Sequence, residues 1–161
     1  MIDFADPGKL IDGELELVLM GTYPGNPTGN SVSIYKFKMR LVGKMDEVGQ
    51  IELRVGNTPH IITYAGHIGY RVHARYRGHR YAARACQLLY PLARRHGLNP
   101  LWITCNPDNI PSVRTCEILG AKFIEIIDLP KNTGMYKSGD RQKCRYRLAL
   151  NEKKDSGMKR L

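Results

Sequence analysis

The chain has 161 residues, of which 42% are apolar, and a formal net charge of +10. This length and composition predict a soluble globular protein with one folded domain over residues 1–150 and a sizeable core. No stretch is long and apolar enough for a membrane span, and the acidic N-terminus has no apolar run behind positive charge. We therefore expect neither membrane insertion nor secretion, but a cytoplasmic location.

Apolar and polar side chains alternate in three stretches of the first third of the chain, which predicts three strands. They span residues 14–20, 32–42 and 48–55. Residues 1–13 are predicted to form a loop. Residues 21–30 are rich in proline and glycine, so they favour turns and disfavour a helix.

From Gly66 to Ala82 the pattern predicts a strand that leads through a basic loop into a helix. Apolar side chains recur at period two up to Val72 and at helical spacing from Tyr81 onward. The first turn of a helix has unpaired N–H groups and the positive end of the helix dipole, so Gly78 and the arginines around it could hold a phosphate. A plain connection with solvated arginines explains the same spacing equally well.

The helix that begins at Tyr81 contains Pro91, which should kink it because proline lacks the N–H group and crowds the preceding turn. Basic residues followed by Gly97 are typical of its C-terminus. Residues 101–105 then form a short apolar run that predicts a buried strand.

Asn109 is a favourable N-cap for a further helix, and Gly120 is a favourable stop. Residues 122–129 and 143–150 predict two final strands, and the charged residues 151–161 predict a frayed tail. The order of these elements predicts an α/β fold with a mixed, mostly antiparallel central sheet flanked by helices.

The positive charge is concentrated between Leu53 and Pro107, where the sequence has eight arginines and no lysine, aspartate or glutamate. The arginines are Arg54, Arg71, Arg75, Arg77, Arg80, Arg84, Arg94 and Arg95. Such a region should attract polyanions, either a nucleotide cofactor or a nucleic acid. General basicity that only keeps the protein soluble is the less specific alternative.

Two motifs, in this order, resemble those of the GNAT superfamily of acetyl-CoA-dependent N-acetyltransferases. The first is Arg77-Gly78-His79-Arg80-Tyr81-Ala82, similar to the family's [QR]-x-x-G-x-[GA], with Arg80 where glycine is usual. The second runs from Asn109 to Gly120, similar to N-x-x-S-x-x-x-x-x-x-G. The resemblance implies transfer of an acetyl group from acetyl-CoA to a primary amine by direct attack in a ternary complex. It also implies a GNAT-like fold, here with a reduced N-terminal helical layer.

The resemblance implies a set of cofactor-binding residues. The backbone of Tyr70, Arg71 and Val72 would pair with the pantetheine arm. The loop and helix start would hold the diphosphate, and the second helix would add two contacts. These residues are Arg77, Gly78, His79, Arg80, Tyr81, Ala82, Ala83, Asn109 and Ser112.

The residues that would take the proton from the attacking amine differ from those usual in the family. Thr104 and Cys116 occupy the positions where many relatives have a Glu and a Tyr. His67 precedes Ile68 in a segment similar to the family's A-E-I-G-Y strand, and imidazole suits a general base near neutral pH. A structural histidine is the simpler interpretation of this residue. Glu52 and Cys116 are two further candidates, although a solvated acid and a packing cysteine explain them as well.

Metal binding is not predicted, because His67, His73 and His79 recur without a thiol or carboxylate at ligand spacing. The four cysteines show no C-x-x-C spacing and predict free thiols. The partner would be an amine-bearing small molecule or a protein or peptide, and a homodimer is left open. Two alternatives remain: a basic nucleic-acid-binding domain, and a GNAT-like protein that binds acyl-CoA without catalysis.

Overall fold

The computed structural model of the protein describes residues 2–29 and 31–151. The predicted tail beyond Asn151 therefore lies outside the described residues. Among the described residues, no helix is both long and apolar enough to cross a membrane.

In the described part of the chain, the first five strands form one antiparallel sheet in the order β1-β2-β3-β4-β5. Three of them confirm the strands predicted from alternation: β3 and β4 bury alternate side chains, whereas β2 does so only at Leu15 and Leu17 and exposes Leu19 and Met20. The bounds are β1 Leu10–Asp12, β2 Leu15–Tyr23, β3 Ser33–Leu41, β4 Glu47–Val55 and β5 Ile68–Val72.

Two elements of this half were not predicted. Strand β1 lies in the segment expected to be a loop, because three residues are too few to show a period, and its pairing with β2 is what makes it a strand. A π-helical turn occupies Ile61–Ala65. The described residues between β2 and β3 form turns and no helix, which agrees with the reduced N-terminal helical layer.

The remaining strands form a second antiparallel sheet in the order β6-β8-β7. Their bounds are β6 Leu101–Cys105, β7 Lys122–Asp128 and β8 Gln142–Leu148. These strands confirm the three predicted ones to within two residues at each end. A helical turn at Gly134–Lys137, α4, was not predicted because its four residues are too few for a helical period.

The predicted kink is a real break between α1 Tyr81–Leu88 and α2 Tyr90–Arg95, with Leu89 between them and Pro91 in the first turn of α2. Helix α3 covers Ile110–Ile118, and the Asn109 side chain accepts a hydrogen bond from the Ser112 N–H, as expected of an N-cap.

The core lies between the first sheet and the helix layer. Helix α1 contacts β2, β4 and β5 as well as α3, while α3 also contacts β6. The largest fully buried side chains include Tyr35, Phe37, Met39, Leu53, Leu89 and Ile103. This apolar layer holds α1 and α3 against the sheets, and so fixes the position of both predicted motifs.

The two sheets meet where β5 and β6 begin. The His67 N–H donates to the Trp102 carbonyl at 2.7 Å, and the Trp102 N–H donates to the imidazole Nδ1 of His67 at 2.9 Å. Gly66 has a φ of +76° here, and a Cβ on it would approach the Trp102 carbonyl oxygen to 2.9 Å. Beyond this junction no ladder joins β5 to β6, so each strand is the edge of its own sheet in the described residues.

Candidate active site

The loop between β5 and α1 has the geometry that its sequence predicts. After a 3-10 turn at Ala74–Tyr76, Gly78 has a φ of +96° and Arg80 a φ of +60°. The left-handed conformation of Arg80 places it as the N-cap of α1, which begins at Tyr81. The arginine in the usual glycine position therefore tolerates the backbone conformation that the loop requires.

The start of α1 is tied to the other end of the first sheet through Arg84. Its guanidinium donates to Asp12 Oδ2 and to Glu14 Oε1, each at 2.7 Å, and also to the Asp12 carbonyl. Hydrogen bonding from Arg84 lowers the pKa of Glu14 to about 2. Arg84 is thus a structural arginine that fixes the loop, rather than a free charge for a ligand.

A cleft of about 480 Å³ lies between β5, the loop and α3. Ten of the predicted cofactor-binding residues line it: Tyr70, Arg71, Val72, Arg77, Gly78, Arg80, Tyr81, Ala82, Asn109 and Ser112. The other two do not, because His79 stacks on the Tyr81 ring and Ala83 is fully buried. Five lining residues were missed, since none belongs to the motif pattern: Tyr76, Pro111, Arg114, Thr115 and Ile118. We call this space the loop cleft.

The outer edge of β5 has backbone groups without partners. The Arg54 N–H bonds the His67 carbonyl, and the His73 N–H bonds the Val48 carbonyl. Because bonding alternates along an antiparallel ladder, Gly69 and Arg71 bond β4, while Tyr70 and Val72 direct their backbone groups away from it. Among the described residues, no backbone group pairs with the N–H of Tyr70 or Val72.

A second cleft, of about 540 Å³, lies on the other side of this edge, and we call it the open cleft. The π-helical turn, β3, the ends of β6 and the start of α3 surround it. Its charged or imidazole-bearing lining residues are Arg54, His60 and Lys143, and no carboxylate of the described residues lines it. Arg54 pairs with Glu52 at 3.1 Å and Lys143 with Asp140 at 3.3 Å, both carboxylates lying outside the lining.

The two clefts share three lining residues in the described chain: Tyr70, Asn109 and Ser112. The Tyr70 hydroxyl and the Ser112 Oγ are 2.7 Å apart, so the tyrosine side chain bridges from β5 to α3. Burial raises the pKa of the Tyr70 phenol well above its usual value, and it is protonated at neutral pH. The sequence named both residues as cofactor contacts but did not predict that they touch each other.

His67 is placed where a general base could not work. Its side chain is fully buried and lines neither cleft, and both ring nitrogens are occupied. Since Nδ1 accepts from the Trp102 N–H, Nε2 carries the proton and donates to Asn57 Oδ1 at 2.9 Å. Burial lowers the pKa of His67 to about 4. We therefore interpret it as the structural link between the sheets, and we do not propose it as the base.

The other two catalytic candidates also lie outside both clefts. Glu52 accepts from Arg54 and borders a separate depression on the outer face of β4 and β5. Cys116 is fully buried beneath α3, and its hydrogen bond with Cys105, together with burial, raises the pKa of its thiol. The same hydrogen bond lowers the pKa of Cys105, which does line the open cleft. We therefore interpret Cys116 as a residue that packs in the core.

The sequence analysis missed His60 and Lys143, which are the groups that the fold brings into the open cleft beside Arg54. His60 precedes the π-helical turn and Lys143 comes from β8, so they are 83 positions apart in the numbering. No local pattern could relate them. No group of three or more histidine, cysteine, aspartate or glutamate side chains in the described residues could hold a metal ion.

Comparison with known proteins identifies the family. The sequence profile described as an acetyltransferase (GNAT) domain matches residues 16–122. No curated protein sequence matches the chain.

Solved structures share the fold. The first is the microcin C7 self-immunity acetyltransferase MccE in complex with acetyl-CoA and AMP (TM-score 0.56, 15% identity, 73% of this chain and 61% of that chain). The second is a GNAT family acetyltransferase from Bacillus anthracis (TM-score 0.54, 25% identity, 73% of this chain and 67% of that chain). The third is a Vibrio cholerae protein assigned as a ribosomal-protein-serine acetyltransferase (TM-score 0.64, 16% identity, 90% of this chain and 99% of that chain).

The chain thus spans less than two thirds of MccE but nearly the whole Vibrio cholerae protein. The profile match covers more than half of the chain, and it includes the loop of Gly78 and all of α3. The chain is therefore a member of the GNAT acetyltransferase family.

Proposed function

We propose that the protein transfers an acetyl group from acetyl-CoA to a primary amine, by direct attack of the amine within a ternary complex. The observation that carries this proposal is the meeting of two clefts at the free edge of β5. One cleft has the backbone geometry for a diphosphate, and the other opens on the opposite side of the same edge. Two substrates could thus meet without either leaving its own cleft.

The loop cleft fits the coenzyme by its chemistry. The N-terminus of the eight-residue helix α1 offers unpaired N–H groups and the positive end of its dipole. Arg71, Arg77 and Arg80 line the same cleft and would add charge for phosphate groups. The N–H groups of Tyr70 and Val72 at this edge would donate to carbonyl groups of the pantetheine arm, as an added strand does, while the Val72 carbonyl accepts from Arg77 Nε at 3.4 Å.

The same edge supports catalysis. As the amine attacks, negative charge develops on the carbonyl oxygen of the acetyl group, and a fixed N–H donor nearby stabilises it. The Tyr70 N–H is unpaired among the described residues and lies where the clefts meet. We propose it as the donor, because a backbone group in a strand is already oriented before the reaction begins.

The acceptor must lose a proton to attack, and the lining of the open cleft affects that step. Arg54 and Lys143 line this cleft and their paired carboxylates do not. Nearby positive charge lowers the pKa of an ammonium group, so it increases the fraction of free amine. We therefore propose that the acceptor binds as the neutral amine and releases its proton to water through the open mouth, where His60 is the imidazole among the described lining residues.

The acceptor is proposed to be a small molecule or the terminus of a peptide or protein. Among the structural relatives are acetyltransferases named for ribosomal proteins, including one for S5 alanine from Vibrio fischeri and one for the N-terminal serine of L7/L12 from Salmonella typhimurium. The described residues between β2 and β3 form no helix, and Ser31 and Val32 of this connection line the open cleft where the acceptor would enter.

The test is thiol release from acetyl-CoA with a panel of amines, followed by mass spectrometry of the product. The panel pairs small amines with peptides that have free or blocked N-termini. We expect release that depends on an amine and a product heavier by one acetyl group. Binding of acetyl-CoA without release for any amine would favour the non-catalytic alternative. No binding of acetyl-CoA by the folded protein would refute the coenzyme site itself.

A further inference from the structure

The depression on the outer face of β4 and β5 adjoins the open cleft, and we call it the outer groove. Its volume is about 330 Å³. The outer groove and the open cleft share the lining residues Arg54, Gly69 and Tyr70. A molecule whose amine lies in the open cleft could therefore extend its other end into the outer groove.

The passage between the two spaces is formed by Arg54 and Gly69. Gly69 leaves room for the guanidinium, because a Cβ at this position would clash with Arg54 Nη2. The guanidinium donates to the carbonyls of Ala65 and Gly66, at 2.8 and 3.2 Å, and to Glu52 at 3.1 Å. These three bonds hold the planar group in place. A guanidinium has five N–H groups, so at least two remain for a ligand.

The charged groups of the combined lining are mostly positive. Among the described lining residues, Glu52 is the single carboxylate, and Arg54 compensates its charge. Lys36 is the cross-strand neighbour of Glu52 and makes no ion pair within the described residues. The cations of the combined lining are Lys36, Arg54, Arg71 and Lys143. This field attracts an anion and repels a second cation on the acceptor.

We propose that the preferred acceptor carries a carboxylate joined to its amine by a short chain, and that Arg54 binds this carboxylate where the open cleft meets the outer groove. This inference rests on the proposed function and names its class of substrate. A guanidinium held in one orientation can bind a carboxylate through two parallel hydrogen bonds. The carboxylate belongs either to a small amino acid or to an acidic side chain near the N-terminus of a peptide.

The neighbouring Glu52 favours a carboxylate over a phosphate ester. A carboxylate carries one negative charge, whereas a phosphate ester carries about two at neutral pH. Glu52 lies within hydrogen-bond distance of the same guanidinium, so it would repel the second charge. An Arg54 that only ties β4 to the start of β5 would instead predict no discrimination between acceptors by charge.

The first test compares three acceptors with the same carbon chain: 5-aminopentanoate, its amide and 1,5-diaminopentane. Their reacting amines have similar pKa values, so the charge at the other end is the main difference. The kcat/KM for the acid should exceed that for the amide by about tenfold or more, because hydrogen bonds between charged groups are strong. The diamine, corrected for its two equivalent amines, should be the poorest acceptor. The preference for the acid should decrease as salt is added.

Two further sets of acceptors locate the carboxylate. Shorter and longer ω-amino acids, each compared with its own amide, give the distance between amine and carboxylate that is preferred. Peptides with Asp or Asn as the second residue make the same comparison for a peptide acceptor. A preference confined to the small molecules, or to the peptides, identifies the source of the carboxylate.

Four variants assign the preference to residues. Arg54→Gln should reduce the ratio of kcat/KM for acid and amide about tenfold, and Lys36→Gln should reduce it about twofold to fivefold because a surface charge is screened. Glu52→Gln should raise the ratio, since its amide oxygen can still accept from Arg54 but carries no competing charge. Lys44→Gln, at an exposed lysine that lines neither space, is the matched control and should not change it.

Binding without turnover provides an independent measurement. The same acceptors are titrated calorimetrically into the protein saturated with coenzyme A, after circular dichroism has shown that each variant is folded. The acid should bind more tightly than the amide, and Arg54→Gln should abolish the difference. If Arg54→Gln does not fold, Lys36→Gln and Glu52→Gln test the same proposal, with expected changes in opposite directions.

These outcomes separate the inference from the proposed function. If the acid binds in an Arg54-dependent way but no amine is acetylated, the carboxylate site stands and the transferase function fails. If amines are acetylated, but acid and amide are equal at every chain length and in the peptides, the transferase function stands and the carboxylate proposal is refuted. A preference that folded Arg54→Gln retains in full, or that Glu52→Gln does not raise, would also overturn the proposal.

Discussion

Protonation of His67 should destabilise the fold, and the size of this effect follows from its surroundings. The side chain is fully buried and its neutral form makes two hydrogen bonds, to Trp102 and Asn57. Its pKa is lowered from 6.5 to about 4, mainly because burial disfavours the charged ring. The unfolded chain therefore takes up a proton at a higher pH than the folded chain does. Stability is fully present above pH 6.5 and is lost as the pH falls toward 4.

Linkage gives the magnitude of this loss. With pKa values of 6.5 unfolded and about 4 folded, His67 alone should lower the free energy of unfolding by about 2 kcal/mol between pH 7 and pH 5. For a chain of this size, that corresponds to a decrease in Tm of roughly 4–8 °C. The assay is urea unfolding, followed by circular dichroism at both pH values.

The control variant is His67→Asn, whose amide oxygen can accept from the Trp102 N–H but cannot titrate. It should be less stable than the parent at pH 7, by about 1–3 kcal/mol, because the bond to Asn57 is lost. Its stability should depend much less on pH between 7 and 5. The dependence that remains should come from His96, whose pKa is also lowered by burial and whose Nε2 lies 2.6 Å from the Tyr35 hydroxyl.

Two results would refute this reasoning. One is a parent protein whose unfolding free energy is the same at pH 7 and pH 5. The other is a folded His67→Asn protein that binds acetyl-CoA normally but has lost its rate of acetyl transfer, because a residue that only links the two sheets should not be needed in the chemical step.

Three further predictions concern the loop and the positive charge. Gly78→Val should weaken coenzyme A binding about tenfold or more in a calorimetric titration, because a branched residue at a φ of +96° strains the loop. Arg80→Gly should keep the free energy of unfolding in urea unchanged or raise it by up to about 1 kcal/mol, since residue 80 has a left-handed backbone. Equal losses of coenzyme A affinity in the two variants would contradict the first of these predictions. Arg84→Met should lower the free energy of unfolding by about 1–3 kcal/mol, since it removes the ion pairs to Asp12 and Glu14, and a variant as stable as the parent in urea would exclude this anchor. Binding to duplex DNA, followed by fluorescence anisotropy, should be weak and should fall steeply with salt, while tight, sequence-selective binding at physiological salt would favour the nucleic-acid alternative.

The sequence by itself determined the features that depend on neighbours along the chain. Alternation in residues 32–42 and 48–55 predicted strands that bury one face, and the N-cap at Asn109 and the break near Pro91 were read from local chemistry. The loop at Gly78 was also local, since its motif lies within a few residues of one backbone segment. These predictions succeeded because periodicity and turn chemistry act over distances of a few residues.

Only the tertiary structure decided which side chains share a site. The sequence makes His67 a candidate base, but in the fold its ring nitrogens bond to Asn57 and to Trp102, which is 35 positions away. Tyr70 and Ser112 are 42 positions apart, and both were assigned separately before the fold placed their hydroxyl groups together. Such pairings depend on how two edge strands and one helix pack over long sequence separations, because burial and long-range hydrogen bonds, not local spacing, determine whether a polar side chain is structural or reactive.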